Sequence, residues 1–472
     1  MQRRKFIQQT ALLTSGFIIA GQLPASAFSG KVKRIKGAVT ANGKGIKGVV
    51  LSDGYTVITT DAKGRYEIEP HPLATNIFIS TPSGYDFNNE NGIARHYYSL
   101  KNIANRKNVN FELVRLDKDD TEHQFIIWAD PQVKNKKDVE KMMGQSVPDV
   151  QKLVAAAGTG TLLHGITVGD IVWDELQLFS DYNKKKKKMG ISFFQCIGNH
   201  DMDYNKGGDE TSDQTFQQMY GPTHYSFNRG KVHYVVMDDV RYLGKDREYD
   251  GYISQNQLDW LQKDLSFVPK EQLIILCVHI PVHNGIKNNE ALYALLEDRQ
   301  VHIMSGHTHY HRNVIKGNIF EHNHGTVCGA WWTGPICGDG TPCGYGVYKV
   351  KGTELSWHYQ STGESADHQM KIFVDDAATQ KQVQVNIWNH DPEWKTEYWI
   401  DGSNKGPLEQ VEAFDPLAYA NLLGPELPKP RGFAEPRKTE HMFKAMVPAA
   451  AKEIKIIATD RFGKKYIATH TV

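Results

Sequence analysis

Five short blocks bring carboxylates, amides and imidazoles together in combinations that catalysis can use. They are Asp130-Pro131-Gln132, Gly169-Asp170 through Asp174, Gly198-Asn199-His200-Asp201, His279-Ile280-Pro281 and Gly306-His307-Thr308-His309. Oxygen donors mixed with imidazole nitrogens suit divalent transition metals of the Mn, Fe or Zn kind, unlike the cysteine sets of structural zinc. Asp130, Gln132, Asp170, Asn199, His279, His307 and His309 are more side chains than one ion can use, so the count points to two ions sharing a carboxylate. A pair of ions about 3.5–4 Å apart clamps a phosphoryl group and ionises a bridging water near neutral pH.

Each block follows an apolar run, at 125–129, 161–168, 191–194, 273–278 and 301–304, with a further run at 232–237. Near-continuous apolar runs are what parallel strands covered on both faces require. Helical periodicity lies between them, as at 254–265, where Ser254 is the expected N-cap and Leu258, Leu261 and Leu265 recur on one face. The region 122–363 therefore reads as an α/β domain. Ligands in such a sheet gather beyond the carboxyl ends of its strands, so the five blocks are expected to converge on one crevice.

In order and spacing the blocks resemble the calcineurin-like metallophosphoesterase family over the whole of 122–363, most specifically through Gly198-Asn199-His200-Asp201 and Gly306-His307-Thr308-His309. The resemblance implies a central β-sandwich flanked by helices in four layers, α/β/β/α. It implies one metal on Asp130, Gln132, Asp170 and His309, a second on Asp170, Asn199, His279 and His307, and a metal-bridging hydroxide as nucleophile. His200 would contact the phosphate or protonate the leaving oxygen, held by Asp174 or Asp201. Two positions depart from the pattern. Most relatives carry His where this chain has Gln132, whose oxygen is a weaker, neutral donor. Three residues rather than two separate Asp170 from Asp174.

The flanks read differently. At 31–116 short alternating runs punctuated by Asn42-Gly43, Asp53-Gly54 and Lys63-Gly64 predict a small β-sandwich, which resembles the carboxypeptidase-regulatory-like domain. From 367 to 472 alternation returns and predicts a second all-β sandwich, with a Pro-rich loop at 425–430. This arrangement resembles a bacterial subgroup with added domains at both ends. The start, residues 1–27, reads as an export signal: Arg3, Arg4 and Lys5 precede an apolar stretch of about eleven residues and Ala25-Ser26-Ala27. It resembles the twin-arginine type, and is short against the roughly 20 residues that span a bilayer. The expected location is periplasmic or cell-surface, with no transmembrane segment in the mature chain.

Composition removes other classes. The 472 residues are 40% apolar, and 55 Lys+Arg against 54 Asp+Glu leave a charge of +1, so no whole-chain field favours a nucleic-acid polymer. Five cysteines make no disulfide framework, although Cys337 and Cys343 are the pair an exported protein would oxidise. Of the 20 histidines, His283, His302, His311, His322 and His324 fall outside the motif positions and read as structural, with His283 and His311 candidates for lining a substrate pocket. Trp331 and Trp332 cannot face one side of a strand together, so one is expected in the core and the other against substrate. The lysines at 184–188 read as a solvated helix end. The expected substrate is a small-molecule or headgroup phosphate ester, monoester or diester, and the aromatic loop favours a nucleotide-type one. The rival is a cell-surface binding protein whose sandwiches bind and whose centre is weakly active or inactive.

Overall fold

The computed structural model of the 472-residue chain describes residues 34–376, 380–428 and 431–471; the expected export signal at 1–27 lies outside the described residues. Two large sheets form the centre. In the first, Glu122–Trp128, Leu163–Val168 and Ser192–Cys196 run parallel, with Gly344–Lys351 and Glu354–Ser361 antiparallel at one edge. In the second, Val232–Val236, Leu273–Cys277, Val301–Ser305 and Ile319–Asn323 run parallel, edged by Tyr225–Arg229 and Arg312–Lys316. Every residue of Val232–Val236, Leu273–Cys277 and Val301–Ser305 is buried, which explains their unbroken apolar character.

Register sets where the loops emerge. Trp128 lies opposite Thr167 and Val168 opposite Cys196, while Val236 lies opposite Cys277 and Cys277 opposite Met304. The parallel strands of each sheet thus end level, and the segments after them share one edge. Helices Lys136–Gly144, Ser146–Ala157 and Phe179–Lys186 join strands of the first sheet; Gln255–Leu265 and Asn289–Leu296 join strands of the second. Gln255–Leu265 begins as expected, with the Ser254 hydroxyl accepting the Gln257 N–H, and buries Leu258, Leu261 and Leu265. One continuous core holds both sheets and their helices. Across it Phe194 of the first sheet stacks on Phe227 of the second at 3.6 Å, and Phe227 on Tyr234 at 4.7 Å. Each such side chain contributes about 1.5–3 kcal/mol by leaving water.

The flanking regions form two further pairs of four-stranded sheets with their own cores, around Val39, Leu51, Ile77 and Phe111 and around Val385, Phe443, Ile454 and Ile456. The N-terminal span is less separate than alternation alone suggests. Asn89–Glu90 and Ile93–Ala94 leave it to extend the first central sheet, where Ile93 pairs in parallel with Phe193. All five cysteines are free and buried, so the Cys337–Cys343 bridge is not formed. Lys184 is exposed beside Asp181, as a solvated helix end requires. No described helix is long and apolar enough to cross a membrane.

Candidate metal centre

The strand-end segments of both sheets meet at a buried cluster. Asp170 lies at its middle: Oδ1 is 3.3 Å from His279 Nε2, and Oδ2 accepts a hydrogen bond from Gln132 Nε2 at 3.1 Å. His279 Nε2 is also 3.0 Å from Asn199 Oδ1 and 3.2 Å from His307 Nδ1. On the other side His309 Nε2 is 3.7 Å from Asp130 Oδ1, and the His307 N–H donates to both Asp130 oxygens at 3.1 and 2.9 Å. All seven side chains singled out in the sequence are therefore in one place, with the two oxygens of Asp170 turned to different halves of the set.

Backbone carbonyls fix two of the imidazoles. His279 Nδ1 is 2.9 Å from the Val168 carbonyl and His309 Nδ1 is 2.7 Å from the Gly329 carbonyl. A carbonyl only accepts, so Nδ1 carries a proton in both rings and Nε2 is the nitrogen turned to the cluster, the arrangement of a ligating histidine with its orienting partner. Gln132 Oε1 is buried and has no hydrogen-bond partner. An orphaned acceptor in a buried polar cluster is costly unless something positive meets it. The donor set fits divalent ions: Asp170, His279 and His307 bring ligand atoms within 4.8 Å of one another, and Asp130, Gln132, Asn199 and His309 border them.

The backbone here is unusual. Among the described residues thirteen non-glycine residues have positive φ, and Asp130, Gln132, Asp170, Asp174, His307, His309, Trp331 and Trp332 are eight of them. Each such conformation costs about 1–3 kcal/mol and persists where surrounding structure imposes it, typically at functional sites. Two motif glycines permit the close approach. A Cβ on Gly198 would lie 2.2 Å from the Asp170 nitrogen, and one on Gly306 would lie 2.4 Å from Asp130 Oδ2.

Electrostatics separate the groups. Burial pushes Asp130 up to about 8, with His279 opposing and the Asp170 charge adding. Burial opposes ionisation of Asp170 too, but His279 and His200 hold it below the usual carboxylate range. Burial would likewise discharge His279, yet Asp170 raises it to about 10. Burial lowers His307 to about 3 and His309 to about 4, keeping both in the neutral form that ligates metals. His200 is raised: burial pulls down, and the Asp170 and Asp174 charges outweigh it.

Asp174, not Asp201, holds the His200 side chain. His200 Nδ1 is 2.7 Å from Asp174 Oδ1, so the extra residue between Asp170 and Asp174 does not prevent the contact. Asp201 is fully buried and accepts the N–H groups of Ile171, Val172 and Gly198 at 3.0–3.1 Å, which corrects its expected role to one of tying two site loops together. The His283 N–H donates to Glu321 Oε2, and its Nδ1 is 3.2 Å from Glu321 Oε1. His311 is buried, and its Nδ1 accepts the Gly325 N–H. The tryptophans sit on a left-handed turn rather than a strand, and one of the two is in the core. Trp332 is buried and its Nε1 donates to the Pro131 carbonyl at 2.9 Å, whereas half-buried Trp331 stacks on His309 at 4.3 Å.

Sequence reasoning passed over Asp239. Its carboxylate accepts the N–H groups of His279 and Ile280 at 3.1 and 2.9 Å and so fixes the segment that presents His279. It follows the apolar run at 232–237, and the strand-end rule applied to that sixth run would have found it. Trp173, whose ring is 5.8 Å from His200, was passed over as well. A cavity of about 1210 Å³ lies between the central fold and the C-terminal sandwich, lined by Tyr310, His311, Trp394 and Arg437 among others, and contains none of the cluster.

Paired sheets with an acid–amide–imidazole cluster at their strand ends define a metal-dependent phosphoesterase. Two family profiles agree: residues 33–116 match the N-terminal module, and residues 321–466 the C-terminal module, of calcineurin-like phosphoesterases. The chain thus carries matches to both terminal modules of that family. The second match opens at Glu321, inside the central fold, so it takes in the Trp331 loop and the closing strands of the first sheet. Similar solved structures include a dimetal phosphatase from Danio rerio (14% identity, TM-score 0.37, 51% of this chain and 97% of that one). A purple acid phosphatase from yellow lupin, Lupinus luteus, aligns at 10% identity and TM-score 0.37 over 76% of this chain and 68% of that one. A 5'-nucleotidase from Candida albicans aligns at 14% identity and TM-score 0.34 over 52% of each. No curated protein matches the sequence.

Proposed function

We propose that this chain is an exported hydrolase of phosphate esters that works with two divalent transition metals. The observation that carries the reading is the central position of Asp170, one oxygen toward His279 and the other toward Gln132. Asp130, Gln132, Asp170 and His309 would hold one ion, and Asp170, Asn199, His279 and His307 the other. Bound there, Mn, Fe or Zn supplies a water acidified to near neutrality and positive charge for the phosphoryl oxygens.

The protein's own groups do the rest. Asp174 accepts the proton on His200 Nδ1, which leaves Nε2 as the group that meets the ester. The raised affinity of His200 for a proton suits a general acid: Nε2 gives its proton to the departing oxygen as the P–O bond breaks, and Asp174 stabilises the ring throughout. Asp201 and Asp239 keep the loops of Asp170 and His279 fixed, so little reorganisation accompanies the reaction. A small-molecule or headgroup ester fits a chain of near-zero net charge better than a polymer does.

The test is hydrolysis of p-nitrophenyl and bis-p-nitrophenyl phosphate by purified protein supplemented in turn with Mn, Fe and Zn. Turnover with at least one ion, lowered about 10²–10⁴-fold in His200→Ala, is expected. Absence of turnover with all three would overturn the hydrolase reading, and cell fractionation showing a cytoplasmic protein would overturn export.

A further inference from the structure

Three aromatic side chains stand together beside the cluster, and one of them comes from the C-terminal module. Phe433 has its ring 5.4 Å from Trp173 and 5.1 Å from Trp331, meeting both at steep angles of 84° and 66°, and the two indoles are 6.5 Å apart. Trp331 stacks on His309, and the Trp173 ring is edge-on to His200. Phe433 is 52% exposed, which leaves an aromatic surface open to solvent next to buried charge. Two cations lie against the Trp173 ring. Lys134 Nζ lies 4.1 Å from the Trp173 ring centre and the Arg431 guanidinium 5.1 Å from it.

The segment that carries Phe433 is anchored to the site. Arg431 pairs with Asp138 at 2.6 Å, both side chains buried, and also donates to the Trp331 carbonyl. Ala434 and Leu422 pack on Ala330. Asp138 belongs to the helix after the Asp130 loop, so the C-terminal module is tied to two site loops at once.

We propose that Phe433, Trp173 and Trp331 form a subsite for the departing group of the ester, and that the preferred substrates carry a planar ring on that group. The assignment to the departing side rests on the hydrolase reading; the ring preference is a binding property. The group that leaves does so beside His200, and the nearest ring to His200 on this side is Trp173. A planar ring gains face and edge contacts with three aromatic side chains, while Lys134 favours the anionic ester over a neutral ring compound. The C-terminal sandwich thereby acts in specificity through Phe433.

The experiment measures the affinity ratio of phenylphosphonate to methylphosphonate by calorimetry on Mn-loaded protein, in the wild type, Phe433→Ala and Phe433→Tyr. In parallel it measures kcat/KM for phenyl phosphate against glycerol 2-phosphate. Stacking on one aromatic side chain is worth enough that the wild type should prefer the phenyl ligand by about tenfold or more. Phe433→Ala should lose most of that preference, and Phe433→Tyr should keep it. A wild-type ratio near one, a ratio unchanged in Phe433→Ala, or binding of neither phosphonate would overturn the subsite. If both esters are hydrolysed with the same selectivity in wild type and Phe433→Ala, the subsite falls and the hydrolase stands. If the phenyl preference behaves as expected but no ester turns over, the hydrolase falls and the subsite stands.

Discussion

His200 Nδ1 and Asp174 Oδ1 are 2.7 Å apart, and both belong to segments that the Asp201 carboxylate ties together. Arg247 lies 2.7 Å from the other Asp174 oxygen but is largely exposed, so solvent screens its contribution. The pair leaves a proton-bearing nitrogen free at His200. Its removal should be felt most where the departing oxygen most needs a proton. His200→Ala should lower kcat about 10²–10⁴-fold for an alkyl phosphate and less for p-nitrophenyl phosphate, whose leaving oxygen is stable as an anion. Asp174→Asn should shift rates in the same direction by less. An equal loss for both leaving groups would rule out His200 as the general acid.

Gln132 offers a second test, because its amide splits its duties. Nε2 donates to Asp170, and Oε1 is the buried acceptor without a partner. Gln132→Ala should weaken one of two metal sites and spare the other, by at least the roughly 10–100-fold that loss of an outer ligand partner costs. Gln132→His should restore or tighten that site. Stepwise metal titration of the stripped protein reads both; two sites weakened equally in Gln132→Ala would contradict the division of ligands.

Buried histidines outside the site predict acid sensitivity. Burial lowers His96, His302 and His311 to about 3 and drives His164 and His322 well below the ordinary 6.5, and both ring nitrogens of His96 lack partners. A histidine held neutral in the fold binds its proton only after unfolding, so the unfolded chain carries more protons below about 6.5. Stability is therefore fully present above that pH and falls as the pH drops toward 3, by about 1.4 kcal/mol per unit for each such histidine. Urea midpoints should be level near neutrality and decline from pH 6.5 to 4. A flat profile across that range would show these rings charged in the fold.

The sequence displayed the centre clearly because parallel strands buried on both faces must be apolar throughout, and the polar segments at their carboxyl ends must emerge at one edge. Asp130, Asp170, Asn199, His279 and His307 were legible for that reason. Other parts left weaker traces. The carbonyls of Val168 and Gly329 that orient His279 and His309 are backbone atoms, which any residue supplies. Asp201 sits in the most specific motif, yet its partners are three N–H groups, so motif position alone could not choose between Asp174 and Asp201 as the partner of His200. Ile93–Ala94 is too short to show alternation, and its place in the central sheet is set by tertiary pairing. Phe433 and Trp173 lie far apart in the chain and meet through tertiary contacts such as Arg431 on Asp138 and Ala434 on Ala330.

The most direct test of the central claim is the metal content of the purified protein, wild type against Asp170→Asn, by elemental analysis after saturation with Mn and removal of free ion. A shared Asp170 predicts about two ions per chain in the wild type and one or fewer in the variant, with hydrolysis lost alongside. One ion or none in the wild type, or two retained in Asp170→Asn, would contradict it.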